Sequence, residues 1–204
     1  MNFRRVTNFL VVVALSAAVL SPVKVWAGDR AHVNGFFLRL SGGIGGASTE
    51  MDYSGTSSKI EGGTADLNIA IGGIVANNFA LHGTVWGWIT SDPEVTIGSS
   101  SGTLNGDVDF SAFGGGVTYY FMPVNMYLSG SLGVGVLSLD GGGFSGESDL
   151  GPAFDLTLGK EWWVGTSWGL GVAISAGVHS VPDGGIDASW QGGSVAVRFS
   201  ATYN

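Results

Sequence analysis

Hydrophobic and polar side chains alternate with period two along most of the chain after residue 27. In the last segment, Val195, Val197 and Phe199 fall on one face, and Arg198 and Ser200 fall on the other. This alternation is the signature of a β-strand, because successive side chains of a strand point to opposite sides. The pattern predicts an all-β fold with eight strands, at about residues 34–46, 60–75, 79–90, 107–121, 126–138, 150–162, 168–180 and 189–203.

The connections between these strands alternate in length. Residues 75–78, 122–125 and 164–167 form tight turns, whereas 47–59, 91–106, 139–149 and 181–188 form longer connections rich in Gly, Ser and Asp. An antiparallel up-and-down barrel with short turns at one end and long loops at the other has this asymmetry. The alternation blurs at residues 114–116, where we expect a β-bulge.

The first 27 residues read as an export signal. Arg4 and Arg5 precede an apolar stretch at 9–20, and Val25-Trp26-Ala27 provides a small-residue cleavage site. The apolar stretch is short of the roughly 20 residues that a membrane-spanning helix needs. We therefore predict a cleavable signal peptide at 1–27 and one barrel domain at 28–204.

Composition narrows the class of protein. Only 12% of residues are charged and 36 are glycine, and there is no cysteine. The net charge is −8, and because residues 1–27 carry three cations and no acid, the remainder carries −11. So acidic a chain repels nucleic acid, whose phosphates need Lys and Arg. No pattern for a cofactor or metal stands out, and we predict neither.

Alternation alone does not decide which face of the barrel meets water, since a soluble lipocalin-like barrel alternates too. The polar face here consists mostly of small residues, which suit a narrow lumen, and the acids collect in the long connections. Aromatic residues collect beside the tight turns, where an interfacial girdle would lie. The predicted girdle comprises Phe79, Tyr120, Phe121, Tyr127, Trp162, Trp163, Trp168 and Tyr203, with Tyr119 beside them and a sparser second girdle of Trp86, Trp88, Phe110 and Trp190 at the loop end.

These features carry a family resemblance. The chain resembles the eight-stranded outer-membrane barrels of the outer membrane protein A, X and W type over about residues 33–204. The resemblance implies a Gram-negative outer-membrane location, contact with membrane lipids and lipopolysaccharide, and insertion by the outer-membrane assembly machinery, which in that family reads the last strand. Its carriers are Gly35-Phe36-Phe37-Leu38, Tyr119-Tyr120-Phe121-Met122-Pro123, Lys160-Glu161-Trp162-Trp163 and the aromatic-ending last strand, although this chain ends Tyr203-Asn204 and not on the aromatic itself.

Two arginines fall on the polar face of the first and last strands, which are neighbours in a closed barrel. Arg39 and Arg198 both lie a few residues from the turn end, so we expect them at similar height. Buried cations need carboxylates, and Asp66, Asp155 and Glu161 are the candidates. We predict an ionic cluster of these five residues that fills the lower lumen.

The histidines give weaker signals. His179 and Ser180 suggest a lipid-modifying centre, but adjacent residues of a strand point to opposite faces. His82 has no partner legible in the sequence, and His32 falls in an N-terminal stub that we expect to be disordered.

The sequence favours a non-enzymatic outer-membrane barrel with a structural or surface-interaction role and a lumen packed with side chains. The alternatives are a narrow channel for small solutes, a lipid-modifying outer-membrane enzyme and a soluble lipocalin-like binder. The ligand and the oligomeric state stay open.

Overall fold

The described chain is built of β-strands. The computed structural model describes residues 31–33, 35–141 and 143–204, so the predicted signal peptide at 1–27 lies outside the described residues. Within these ranges no helix is long and apolar enough to cross a membrane. The strands are β1 (Gly35–Tyr53), β2 (Thr56–Ala76), β3 (Phe79–Ser91), β4 (Glu94–Ile97), β5 (Ser100–Thr103), β6 (Gly106–Phe121), β7 (Met126–Gly141), β8 (Phe144–Glu147), β9 (Gly151–Trp163), β10 (Trp168–Pro182) and β11 (Ser189–Tyr203).

Eight long strands close into an antiparallel ring. Each of β1, β2, β3, β6, β7, β9, β10 and β11 pairs with its neighbours in that order, and β1 pairs with β11 from Leu38↔Tyr203 to Glu50↔Gln191. Closure gives each ring strand a partner on both sides and so leaves no open sheet edge. The predicted all-β, eight-stranded antiparallel barrel is confirmed.

The three tight turns lie at one end of the ring, called the turn end. They join β2 to β3, β6 to β7 and β9 to β10, as the sequence predicts, and β1 starts and β11 finishes at the same end. The opposite end, called the loop end, holds the long connections.

The loop end contains more strand than the sequence predicts. The predicted long loop at 47–59 is wrong: β1 and β2 continue as a hairpin to a two-residue turn at Ser54 and Gly55. Both turn residues have positive φ, 53° and 81°, as a twist-matched hairpin turn requires. The hairpin therefore extends three residues beyond Glu50, the last residue of β1 that pairs with β11.

Two further loops at this end also form strands. β4 pairs with β2 and β5 pairs with β4, so that β1, β2, β4 and β5 make a four-stranded extension, which we call the extracellular sheet. β8 pairs with the end of β7. The sequence does not reveal these strands because each is only four residues long, and β5 and β8 also lack a clear alternation.

The register of β6 runs without interruption through its three consecutive glycines. Gly114, Gly115 and Gly116 pair in sequence with both β3 and β7, so the bulge predicted there is wrong. The irregularity lies between Ile74 and Ala76 of β2, next to a tight turn.

Candidate functional site

The lumen of the ring is filled with side chains at four levels, and the lowest level is aromatic. Phe37, Tyr120, Tyr127 and Trp163 are buried at the turn end, and Tyr120 and Tyr127 lie with ring centroids 5.6 Å apart. The alternation of each strand places these side chains inside the ring, and their neighbours along the strand point outward and are exposed. The rings close the lumen from below.

His32 completes this floor from the segment that precedes β1. It is 1% exposed, and its ring stacks on Tyr120 with centroids 3.6 Å apart. Nε2 lies 2.9 Å from Asn125 Oδ1, and Nδ1 contacts the Asn204 side chain. The His32 backbone N–H donates to Asn78 Oδ1 at 3.0 Å. His32, expected in a disordered stub, is therefore held in a fixed position in the lumen floor.

Burial lowers the pKa of His32 below its ordinary value of 6.5, because desolvation disfavours the imidazolium more than the Asn125 and Asn204 hydrogen bonds favour it. The folded barrel thus holds His32 neutral, whereas the unfolded chain protonates it near the ordinary value. Its contribution to stability is complete above about pH 6.5 and is lost as the pH falls toward the lower folded pKa.

We expect the wild-type barrel to lose stability between pH 7.5 and pH 5 more steeply than a His32→Gln variant, which keeps a polar side chain but cannot titrate. Urea unfolding in detergent micelles at each pH, followed by heat-modifiable gel migration, measures the difference. The other buried titratable groups, such as His82 and His179, are common to both proteins. Parallel pH profiles of wild type and variant would contradict the assignment.

Arg39 and Glu161 lie directly above the floor. The Arg39 guanidinium sits 4.5 Å from the centroid of Tyr127 and donates to Ser129 Oγ at 2.7 Å. Glu161 accepts a hydrogen bond of 2.6 Å from the Thr202 hydroxyl. Both side chains are almost fully buried and carry opposite charges.

The middle level contains an ion triad. Arg198 donates through Nε and Nη2 to Asp66. It also donates to Asp155, through Nη1 at 3.0 Å and through Nη2 at 2.9 Å. Thr157 joins the triad by donating to Asp155 Oδ1 at 3.1 Å. One guanidinium thus holds two carboxylates from opposite sides of the lumen, with all three side chains buried.

The five charged residues predicted as one cluster therefore occupy two levels. On the β1–β11 ladder Arg39 pairs with Thr202 and Gly43 pairs with Arg198, so the arginines lie four residues apart in height. The expectation of similar height is wrong because the first residues of β1 extend below the point where its pairing with β11 starts, at Leu38.

The upper level is again aromatic. His179 stacks on Phe110 with centroids 4.4 Å apart, lies 6.2 Å from Trp88, and has Nε2 3.2 Å from Thr49 Oγ1. Above it, buried aliphatic residues close the loop end, and the β4 and β5 region packs Val95 and Leu104 against them. Members of this upper cluster are Ala47, Ile60, Trp86, Trp88, Val108, Phe110, Ala112, Leu137, Ala153 and Val181.

Several predicted girdle residues belong to the lumen instead. Tyr120, Tyr127 and Trp163 lie in the floor, and Trp86, Trp88 and Phe110 lie in the upper level. Trp190 is partly buried against the upper cluster. The prediction treated neighbouring aromatics as one belt, although the alternation of a strand sends adjacent rings to opposite sides. The outward aromatic residues at the turn end are Phe36, Tyr119, Phe121, Trp162, Trp168 and Tyr203, with Phe79 partly exposed beside them.

The possible catalytic pair does not come together. His179 points into the lumen and contacts Thr49, whereas Ser180 is the next residue of β10 and faces the other way. In the part of the chain that the structure describes, no group of His, Cys, Asp or Glu side chains is arranged to hold a metal ion.

The outer face of the ring is apolar. Ile44, Leu132, Val195 and Phe199 are 64–76% exposed, while the polar residues of the same strands are buried in the lumen. Continuous exposed apolar surface around a whole protein is unfavourable in water, and a ring with all strands paired satisfies its backbone groups inside lipid. The chain is a transmembrane β-barrel of the outer-membrane type.

The polarity of the barrel is the reverse of that in a soluble lipocalin-like barrel, whose apolar face lies inside. Tyr119, Phe121, Trp162 and Trp168 are exposed around its turn end. The three short turns also lie there, and short turns mark the periplasmic end of such barrels, so the extracellular sheet projects from the opposite end.

Comparisons with known proteins agree with this fold. The barrel matches Neisserial surface protein A with a TM-score of 0.50 and 15% identity, over 84% of this chain and 97% of that chain. OprG from Pseudomonas aeruginosa gives a TM-score of 0.47 at 14% identity, over 85% and 98% of the two chains. Ail, the attachment invasion locus protein of Yersinia pestis, gives 0.43 at 14% identity, over 82% and 99%. No family model matches the sequence, and no curated protein matches it.

An open depression of about 700 Å³ lies on the barrel wall, and its lining includes the lumen residues His82 and Ser131. The outward-facing Gly83, Gly115 and Gly130 lie on adjacent strands and form part of its lining. Leu132 and Phe154 border it. The strand pairing beneath it is continuous, so it does not open a lateral path into the lumen.

Proposed function

We propose that this outer-membrane barrel is a surface-interaction protein that acts through its extracellular sheet and does not conduct solutes. The proposal assigns it no catalytic activity, since His179 and Ser180 do not combine into a reactive centre. Membrane lipids and lipopolysaccharide are its surroundings, and the outer-membrane assembly machinery is its expected route into the membrane.

The observation that carries this proposal is the filled lumen. Aromatic rings block it at the floor, the Arg198 triad bridges it at the middle, and the upper cluster closes it toward the outside. An enclosed cavity beside Arg198 and His179 measures about 10 Å³. That is room for one water molecule at most.

The loop end supports an interaction role because it contains regular hydrogen-bonded strands. The β1–β2 hairpin, β4 and β5 form one hydrogen-bonded sheet, so side chains on it hold fixed positions. A rigid surface loses little conformational entropy when a partner binds.

A narrow channel is the main alternative, and electrical conductance separates the two functions. In planar lipid bilayers we expect the refolded protein without its predicted signal peptide to produce no stable stepwise openings, because side chains fill the lumen of the described barrel at every level. Stable, large openings of the wild-type barrel would contradict a closed lumen. A variant that removes the bridge, Arg198→Ser with Asp66→Ser and Asp155→Ser, serves as the control that widens the middle level.

A further inference from the structure

The extracellular sheet has two chemically different faces. Its outer face carries Glu50, Lys59 and Thr96, which pair across β1, β2 and β4. Hydrogen bonds confirm this shared face: Ser57 donates to Glu50 at 2.6 Å, and the hydroxyls of Thr96 and Ser101 lie 2.9 Å apart.

The inner face, which looks over the barrel mouth, is uncovered at its top, where three apolar side chains stand among the small polar residues Thr56, Ser58 and Ser100. Met51 and Ile97 flank Ser58 in one row of the sheet, and Tyr53 follows Met51 on the same side of β1. Tyr53 is 47% exposed and Ile97 is 56% exposed. We call Met51, Tyr53 and Ile97 the apolar wall.

The apolar wall lies above the membrane, so lipid tails do not explain its exposure. Met51 is thirteen residues beyond Leu38, where β1 begins to pair with β11. At a rise of about 3.3 Å per residue and a strand tilt of about 40°, it lies roughly 33 Å above that level. The apolar band of such barrels is only about 25 Å tall.

The charge around the apolar wall selects the kind of partner. Within the described part of the loop end, Lys59 is the one cation, and its Nζ lies 2.6 Å from Glu61 Oε2. A surface of this charge repels phosphate- and sulfate-rich polymers and attracts polycations. The acids of this end are Glu50, Asp52, Glu61, Asp92, Glu94, Asp107, Asp109, Asp140, Glu147, Asp149, Asp183 and Asp187.

We propose that the apolar wall is the docking surface for a basic polypeptide segment, which places an apolar or aromatic side chain against Tyr53 and Ile97 and extends its lysines or arginines over the rim of the sheet, toward Glu50, Asp52, Glu61 and Glu94 on its outer face. This inference rests on the proposed surface-interaction function and names its partner by chemistry. The hairpin is fixed by its two-residue turn at Ser54 and Gly55, so the wall is formed before a partner arrives.

The test measures binding of a fluorescein-labelled, lysine-rich peptide with a central Trp to the full-length mature barrel in detergent micelles, by fluorescence anisotropy. We expect binding to the wild type that weakens with added salt. The double variant Tyr53→Ser/Ile97→Ser should bind about tenfold more weakly, as expected when two apolar contacts are lost. Its heat-modifiable migration should equal that of the wild type, because both side chains are half exposed.

Val33→Ser is the matched control, since Val33 is an exposed aliphatic residue at the opposite end of the barrel. It should bind like the wild type, and a peptide with Ala in place of Trp should bind the wild type as weakly as the double variant binds the original peptide. Equal affinity of wild type and double variant would overturn the proposal and leave only diffuse charge attraction.

Two other occupants of the wall are outcomes of the same test. Direct binding of lipopolysaccharide, without peptide, to the wild type and not to the double variant would assign the wall to a lipid headgroup. A change from dimer to monomer in the double variant, measured by sedimentation, would assign it to a second copy of the chain. Either result overturns the proposal, whereas conductance remains the separate test of the closed lumen.

Discussion

Replacement of Arg198 by Met is expected to destabilise the barrel by about 3–5 kcal/mol, because it leaves two buried carboxylates facing each other without a cation. Arg198 makes hydrogen bonds to both Asp66 and Asp155, and all three side chains are almost wholly excluded from solvent. Urea unfolding of the refolded protein in detergent, followed by heat-modifiable migration, gives the change in the free energy of unfolding.

The triple variant Arg198→Met/Asp66→Asn/Asp155→Asn distinguishes the cost of leaving buried charges unpaired from the cost of losing side-chain contacts. It removes all three charges together, and we expect it to recover most of the stability, since neutral groups of similar size avoid the penalty of unpaired charge. Lys59→Met breaks an ion pair that lies in solvent and should leave the unfolding midpoint unchanged. An Arg198→Met barrel with the midpoint of the wild type would show that the triad contributes nothing to stability.

Gly43→Ala is expected to weaken the seam at which the ring closes. A Cβ added at Gly43 would lie 2.0 Å from the carbonyl oxygen of Val197 and 2.9 Å from the Cα of Arg198, both in the backbone of β11. Backbone atoms cannot rotate away as a side chain does, so β1 must move off β11 and lengthen the hydrogen bonds of the seam. Overpacking of this kind costs about 1–3 kcal/mol and occasionally more.

The neighbouring glycine is the matched control for this variant. A Cβ at Gly42 would meet only the carbonyl oxygen of Asp66, at 3.8 Å, which is ordinary van der Waals contact. Gly42→Ala should therefore fold and unfold like the wild type, while Gly43→Ala yields less folded, heat-modifiable protein and a lower urea midpoint. Equal midpoints for the two variants would contradict close approach at the seam.

The ring itself could be predicted because alternation over a long strand is a strong signal. Val195, Val197 and Phe199 face lipid and Arg198 faces the lumen, as their positions in the sequence imply. The same rule, applied residue by residue, would also have placed Tyr120 inside, since it lies between the outward-facing Tyr119 and Phe121.

The level of each lumen residue could not be predicted, because it depends on the stagger between strands. The height of Arg39 relative to Arg198 is fixed only when β1 meets β11, and the sequence of either strand alone does not contain that offset. The position of His32 was missed for a related reason. Its partners Asn78, Asn125 and Asn204 come from three separate parts of the chain, and no local pattern connects them.

The position of His32 also has a consequence for how the barrel folds. Its hydrogen-bonding partners lie 46, 93 and 172 positions away along the sequence. A partly formed sheet does not bring all of these partners to His32, because they come together only when the two ends of the chain meet as β1 pairs with β11. An imidazole protected from solvent exchange therefore indicates a fully closed barrel. An exchangeable imidazole indicates a barrel that has not yet closed.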